Sequence, residues 1–91
     1  MKKLHYSTRF RKDTKKYRAQ PKKVDKLMAV LRMLENEEVL PSELKAHFLK
    51  GEYKDCMECH IENDFLLIWF DKSRDIIELV RLGTHSELFK E

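Results

Sequence analysis

The amino-acid sequence predicts an α+β fold in which two N-terminal helices pack on a mostly antiparallel sheet of four to five strands, in the order β-α-α-β-β-β. The first half of the chain contains a long apolar stripe at helical spacing, whereas the second half alternates strand-like runs with short turns. Its 91 residues are the length of one domain, which we expect to span residues 1–91 with a modest core.

The first 41 residues predict one strand followed by two helices. Residues 4–10 alternate and contain many strand formers, so they predict the first strand. Residues 10–19 carry lysine and arginine without glycine or proline, which favours a helix. Pro21 suits the first turn of a second helix, which Pro41 terminates. Apolar residues at helical spacing mark the buried face of that helix: Val24, Leu27, Met28, Val30, Leu31, Met33 and Leu34.

A connector and a hairpin follow the helices. Residues 42–50 predict a connector that carries His47, and Gly51 supplies a turn. Residues 53–60 predict a strand. Residues 62–64 have the sequence Glu-Asn-Asp and predict a tight hairpin turn, because asparagine and aspartate favour such turns.

Two further strands complete the predicted sheet. Residues 65–70 are an uninterrupted apolar run, which predicts a central strand that is buried on both faces. A polar turn at residues 71–75 separates this run from the last predicted strand, residues 76–82. A short tail, residues 83–89, follows.

Charge is divided unevenly along the chain. Residues 1–26 hold eleven lysines and arginines against two acidic residues, which leaves +9, whereas residues 27–91 hold eight basic and fourteen acidic residues, which leaves −6. This division predicts an electropositive face for nucleic acid or for an acidic protein, or else a solvated lysine-rich helix. No apolar run approaches the ~20 residues that span a bilayer, so we expect a cytoplasmic protein without membrane contact.

Cys56, Cys59 and His60 formally match the C-x-x-C-H pattern of haem attachment. Positions i and i+3 of a strand point to opposite faces, so the two thiols should diverge, and the sequence has no second cysteine pair to complete a zinc site. A disulfide along one strand is also geometrically poor. We therefore expect no haem, metal or other cofactor, and two thiols on strand surfaces.

Polar side chains from separate segments converge on one edge of the predicted sheet. His60 and Asp64 flank the hairpin turn, Arg81 ends the next strand beside it, and His85 follows after a glycine turn. Imidazole transfers protons near neutral pH, and arginine neutralises phosphate. The convergence predicts a site that cuts RNA without a metal, whereas the alternative is a set of inert, partly exposed histidines at strand ends.

Three stretches carry a resemblance to a known family: residues 44–51 (Leu-Lys-Ala-His-Phe-Leu-Lys-Gly), 58–68 (Glu-Cys-His-Ile-Glu-Asn-Asp-Phe-Leu-Leu-Ile) and 79–89 (Leu-Val-Arg-Leu-Gly-Thr-His-Ser-Glu-Leu-Phe). The chain resembles, over nearly its whole length, the YafQ-type branch of the RelE toxin superfamily, ribosome-dependent mRNA endonucleases of bacterial toxin–antitoxin pairs. Ala46 replaces the acidic residue usual before the first histidine, and Phe65 stands where some members have tryptophan.

The resemblance implies an active site at the positions that match the family's motifs. The catalytic residues are then His47, His60, Asp64, Arg81 and His85. Four basic residues bind ribosomal RNA or, equally, an acidic segment of the antitoxin: Lys12, Lys15, Lys16 and Arg18. The aromatic residues available to stack on bases are Phe65 and Phe89.

The function implied by the resemblance is cleavage of mRNA in the ribosomal A site by a toxin of a type II toxin–antitoxin system. The RNA's own 2′-hydroxyl attacks, so neither a metal nor a protein nucleophile is needed. His85 is assigned as the general acid, and Asp64 together with His60 as the general base, although the two roles can be exchanged. Arg81 stabilises phosphate, and His47 positions it or shares proton transfer.

The partners implied by the resemblance are a cognate antitoxin, mRNA and the ribosome. We expect a monomeric toxin when free and a hetero-oligomer with the antitoxin. The alternative is a catalytically inactive module that only pairs with a partner protein, an alternative that the intact histidines, aspartate and arginine argue against.

Overall fold

Three helices and one five-stranded mixed sheet make up residues 1–89, which are the residues that the computed structural model describes. The strands are β1 (Lys3–Tyr6), β2 (His47–Phe48), β3 (Met57–Glu62), β4 (Phe65–Asp71) and β5 (Ile76–Gly83). The helices are α1 (Thr8–Lys15), α2 (Pro21–Glu35) and α3 (His85–Leu88). The strand order is β1-β5-β4-β3-β2, in which β1 runs parallel to β5 and the other neighbours are antiparallel. The predicted α+β fold is confirmed.

The N-terminal elements are shorter than the sequence patterns predict. β1 ends at Tyr6, because the Ser7 side chain accepts a hydrogen bond from the backbone N–H of Phe10 and starts α1. Residues 8–10, predicted as strand, are therefore helical. α1 ends at Lys15 instead of continuing to residue 19, whereas α2 begins at Pro21 as predicted.

The connector between α2 and the hairpin also differs from its prediction. It contains the two-residue strand β2, which pairs with the beginning of β3. Tyr53 lies in a 3₁₀ turn at Gly51–Tyr53, so β3 begins at Met57 and not at residue 53. The predicted hairpin turn is present between β3 and β4.

The sheet separates two apolar clusters, and β4 contributes to both. On the helical side, Leu67 and Trp69 pack with side chains of α1 and α2. On the opposite side, Leu66 and Ile68 pack with Tyr53 and with the C-terminal part of the chain. The uninterrupted apolar run in β4 is explained by this double burial, since alternate residues fill opposite clusters.

The two cysteines divide between these clusters. Cys59 is fully buried in the helical-side cluster, whereas Cys56 packs against the opposite one. Their predicted divergence is confirmed, but the prediction of a surface thiol is wrong for Cys59. Burial raises the pKa of the Cys59 thiol to about 12, which makes it a small core residue and not a nucleophile.

Within residues 1–89, no helix is long and apolar enough to cross a membrane.

Candidate active site

The site is built on the face of the sheet that α1 and α2 leave uncovered. Cross-strand partners share a face, and the pairs His47–Glu58, Glu58–Ile68 and Ile68–Arg81 form one row across four strands. A second row joins His60 to Leu66 and Leu66 to Gly83. Asp64, in the turn between β3 and β4, and His85, the first residue of α3, lie near the end of this second row.

His85 and Asp64 form an exposed hydrogen-bonded pair. Asp64 Oδ1 lies 2.7 Å from His85 Nδ1 and accepts the backbone N–H of His85 at 2.8 Å. These bonds, the backbone one first, lower the pKa of the Asp64 carboxyl. A carboxylate on Nδ1 fixes the orientation of the imidazole and leaves Nε2 available for proton exchange with a ligand.

Two further histidines face this pair. The ring centroid of His60 lies 5.7 Å from that of His85 and 6.2 Å from that of His47. His47 Nδ1 lies 2.7 Å from the carbonyl oxygen of Lys45. The three imidazoles are therefore close enough to act on neighbouring atoms of one bound group, as the sequence predicts for these positions.

Glu58 lies between two of these histidines, and the sequence reasoning missed it. Its Oε1 is 3.2 Å from His47 Nε2 and 3.7 Å from His60 Nε2, and its side chain is only 5% exposed. Its buried Oε2 has no hydrogen-bond partner among the described residues. Strand alternation was the available signal, because Glu58 and His60 are two positions apart and so share a face. We call His47, Glu58, His60, Asp64 and His85 the histidine cleft.

Arg81 does not join the histidine cleft as a free cation. Its Nε and Nη2 donate to Asp13 Oδ2 and Oδ1 at 2.8 and 3.2 Å, and its Nη1 donates to the Tyr53 hydroxyl at 3.2 Å. The Asp13 carboxylate raises the pKa of Arg81. The side chain is 8% exposed. Three of its five N–H donors therefore have partners within the protein, and the role of Arg81 in stabilising phosphate stays a prediction.

The position of Arg81 follows from an irregularity in β5. Ile68 pairs with Arg81, but Trp69 pairs with Leu79, so Val80 is an extra residue in β5. This bulge turns Arg81 away from the face that Leu79 occupies. β1 covers only Ile76 to Leu79 of β5, and the Asp13 carboxylate accepts the N–H of Leu82 beyond it, at 2.9 Å.

The two aromatic residues predicted to stack on bases have different environments. Phe65 is 1% exposed, and its ring lies 4.8 Å from that of Tyr17 and 5.0 Å from Lys23 Nζ. The prediction of base stacking is therefore wrong for Phe65, because it points into the core under the helices. Phe89 is only partly buried and lies 6.4 Å from the His85 ring, at the rim of the cleft.

The predicted basic residues are all exposed: Lys12, Lys15, Lys16 and Arg18. The first two lie on α1, Lys16 is the C-cap of α1, and Arg18 lies in the turn beyond it. Arg9 and Lys16 also border a polar cavity of about 240 Å³ that Tyr53 and Arg81 line. Glu52 and Glu87 also line this cavity, so its wall carries charges of both signs.

Potential metal ligands are present in the cleft, but they do not converge. Among the residues that the structure describes, no group of three histidine, cysteine, aspartate or glutamate side chains is arranged to hold one ion. The Asp64 oxygen nearest His85 and the Glu58 oxygen nearest His47 are instead occupied by imidazole contacts.

Known proteins resemble this chain in sequence and in fold. A family model described as the bacterial toxin of a type II toxin–antitoxin system, YafQ, matches residues 2–90. The mRNA interferase toxin YafQ of Escherichia coli K12 is 32% identical over 87 residues, which are 94% of each chain.

Solved structures agree with this assignment. YafQ from E. coli BL21(DE3) superimposes with a TM-score of 0.87 at 30% identity, over 98% of this chain and 99% of that one. A metal-bound toxin from Helicobacter pylori superimposes with a TM-score of 0.88 at 39% identity, over 98% and 100%. The YafQ chain of the E. coli DinJ–YafQ complex has a TM-score of 0.84 at 31% identity, over 98% and 99%. The chain therefore belongs to the YafQ family of bacterial toxins of type II toxin–antitoxin systems.

Proposed function

We propose that this protein is an mRNA interferase that cleaves mRNA on the ribosome and is held inactive by a cognate antitoxin. The observation that carries the proposal is the exposed Asp64–His85 pair, which faces His60 across 5.7 Å. Two imidazoles at this separation can contact two oxygens of the same phosphodiester. The E. coli relatives named mRNA interferase toxins support the substrate, and the DinJ–YafQ complex supports an antitoxin partner.

The reaction begins at the RNA's own 2′-hydroxyl. His60, with His47 beside it, accepts the 2′-proton while the 2′-oxygen forms a bond to phosphorus. The bond from phosphorus to the 5′-oxygen breaks, and His85 gives its Nε2 proton to that leaving oxygen. The products are a 2′,3′-cyclic phosphate and a 5′-hydroxyl. No protein nucleophile and no metal ion takes part in this scheme.

Asp64 has a different part in this scheme from the one the sequence predicts. Its Oδ1 accepts two hydrogen bonds from His85, so it orients the acid instead of serving as the base. Arg81 is paired with Asp13, so other cations contribute to stabilising a charged phosphorane, and Arg9 and Lys16 at the polar cavity beside Arg81 are candidates.

Cleavage of a modified message tests this chemistry. A message with 2′-deoxyribose at the cleaved position should bind to programmed ribosomes with the toxin but remain uncut, because the nucleophile is missing. The matched control carries the same substitution one codon away and should be cut normally. Cleavage of the 2′-deoxy position would refute the mechanism. If the toxin binds ribosomes but cuts neither the modified message nor the control, the protein is instead a binding module.

The exposed lysines of α1 and its C-cap are proposed to bind ribosomal RNA. Changing Lys12, Lys15 and Lys16 together to Glu should weaken ribosome binding and flatten its dependence on salt, because fewer counterions are released. A matched control reverses three exposed charges near the β4–β5 turn, Lys3, Lys72 and Arg74, and should bind like the parent. If both variants pellet equally with ribosomes across a salt series, the α1 lysines instead bind the antitoxin or are simply solvent-exposed.

A further inference from the structure

His85 lies on a helix that is too short to be stable alone. α3 is four residues long and begins at His85. Because a single turn contributes few internal hydrogen bonds against the cost of ordering its backbone, its position must be set by contacts from outside. Asp64 supplies two of these contacts, both to His85, and the side chains of Asp64 and His85 are largely exposed.

Glu87 fixes the start of α3 from inside the helix. The Thr84 hydroxyl accepts the backbone N–H of Glu87 at 3.2 Å, and Glu87 Oε1 accepts the backbone N–H of Thr84 at 2.9 Å. This capping box defines the backbone on both sides of His85. A Cβ atom on Gly83 would lie 2.5 Å from Glu87 Oε1, so glycine leaves the room that this carboxylate occupies.

Tyr17 connects the same carboxylate to the N-terminal part of the protein. Its hydroxyl donates to Glu87 Oε1 at 2.5 Å, and Lys16 Nζ lies 3.7 Å from Glu87 Oε2. Tyr17 is 7% exposed, and burial together with Glu87 raises its pKa, so it remains a donor at neutral pH. Burial acts to raise the pKa of Glu87, but hydrogen bonds from Tyr17 and Thr84 lower it overall, so the acceptor is a carboxylate.

These contacts form a continuous ring of packing and hydrogen-bond contacts that includes His85. Tyr17 packs on Phe65, which directly follows Asp64 in the chain. Asp64 accepts two hydrogen bonds from His85. His85 follows Thr84, whose N–H bonds to Glu87, and Glu87 returns to Tyr17. We expect the loss of one of these contacts to weaken the neighbouring ones.

The geometry points to Tyr17 and Glu87 as a positioning pair that docks α3 on the turn that follows α1 and so holds His85 against Asp64. The inference rests on the proposed role of His85 in cleavage. Tyr17 is buried away from the cleft, so the pair acts on the rate of the chemical step and not on the binding of RNA. Small displacements of a catalytic group cost as much as about a hundredfold in rate.

Two variants with a matched control test the pair. Tyr17→Phe removes only the hydroxyl, and Glu87→Ala removes the carboxylate from a partly exposed position. Each should lower the single-turnover cleavage rate on programmed ribosomes about ten- to a hundredfold without changing ribosome affinity. Glu87→Gln, which retains an acceptor oxygen, should recover part of the loss. The control Tyr6→Phe removes a partly exposed tyrosine hydroxyl at the end of β1 and should leave the rate unchanged.

Hydrogen exchange of the His85 amide supplies a second measurement that needs no substrate. This amide donates to Asp64, so Tyr17→Phe should speed its exchange at least about tenfold while the amide of Leu67 in β4 keeps its parental rate. Unchanged exchange at His85, or equal acceleration at Leu67, would overturn the positioning role. If His85→Ala cleaves normally, the proposed function fails instead, and the exchange result still decides whether the pair docks α3.

Discussion

The Asp64–His85 hydrogen-bonded pair of the histidine cleft and the Arg81–Asp13 salt bridge have opposite surroundings, although only four positions separate Arg81 from His85. The side chains of Asp64 and His85 are 58% and 53% exposed, whereas those of Asp13 and Arg81 are 6% and 8% exposed. Exposed pairs contribute little to stability, and buried pairs are costly to break. We therefore expect the buried pair to stabilise the contact between α1 and β5, and the exposed cleft to carry the proposed chemistry.

Glu58 is the member of the histidine cleft whose burial resembles that of the Arg81–Asp13 pair. It is buried like Asp13, but it contacts imidazoles of the cleft instead of a guanidinium, and one of its oxygens lacks a partner among residues 1–89. A buried unpaired carboxylate oxygen costs free energy. Such a cost at a functional site is typical of a residue that is retained for activity and not for stability.

The largest expected effect lies in the cleft. His85→Ala should reduce cleavage by about 10²–10⁴-fold, because it removes the proposed proton donor. Its unfolding midpoint in urea should stay close to that of the parent, since the side chain is exposed. Full cleavage by this variant at equal concentration would remove His85 from the mechanism.

The Arg81–Asp13 pair should respond in the opposite way. Arg81→Ala leaves Asp13 buried without its guanidinium, so the free energy of unfolding should fall by about 3–5 kcal/mol. Asp13→Asn combined with Arg81→Met removes both charges and keeps an acceptor for the N–H of Leu82, so it should recover much of that loss. Urea titrations of the parent and of these two variants measure the free energies of unfolding. A stable Arg81→Ala variant that no longer cleaves would place Arg81 in the chemistry.

Glu58→Gln should separate activity from stability. The amide keeps the shape but removes the charge between His47 and His60, so we expect cleavage to fall by about tenfold, which is less than for loss of a proton-transfer group. The free energy of unfolding should rise or stay constant, because the buried charge is removed. A loss of both activity and stability would make Glu58 an ordinary structural residue.

The smallest expected effect concerns pH. The hydrogen bonds from His85 lower the pKa of Asp64 below its usual 3.8, so its contribution to stability is present above that pH. The contribution is lost as pH falls through the lowered pKa of the folded state. Asp64→Asn should therefore lose less stability than the parent between neutral pH and pH 3, measured by urea titration at each pH. Equal losses of stability in Asp64→Asn and in the parent would show that protonation of Asp64 does not contribute to destabilisation by acid.

Several elements were predictable because their signals are local. The stripe in α2 and the apolar run in β4 each match one periodicity, and the structure has a helix and a doubly buried strand there. The histidines of the cleft were predictable from turn signals and motif spacing. The strand predicted for residues 4–10 was too long, because Ser7 acts as the N-cap of α1 and the helix begins at Thr8.

The sequence by itself determined the central parts of β1, β3, β4 and β5, although not β2, and the segments that carry His60, Asp64 and His85. Hydrophobic periodicity and turn chemistry determine these because they act over a few residues. Only the tertiary structure decided the surroundings of Arg81, Glu58 and Phe65. Arg81 is neutralised by Asp13, which lies 68 positions away, and a bulge at Val80 sets the direction of its side chain. Burial and charge pairing depend on which distant segments meet, and no local pattern encodes that.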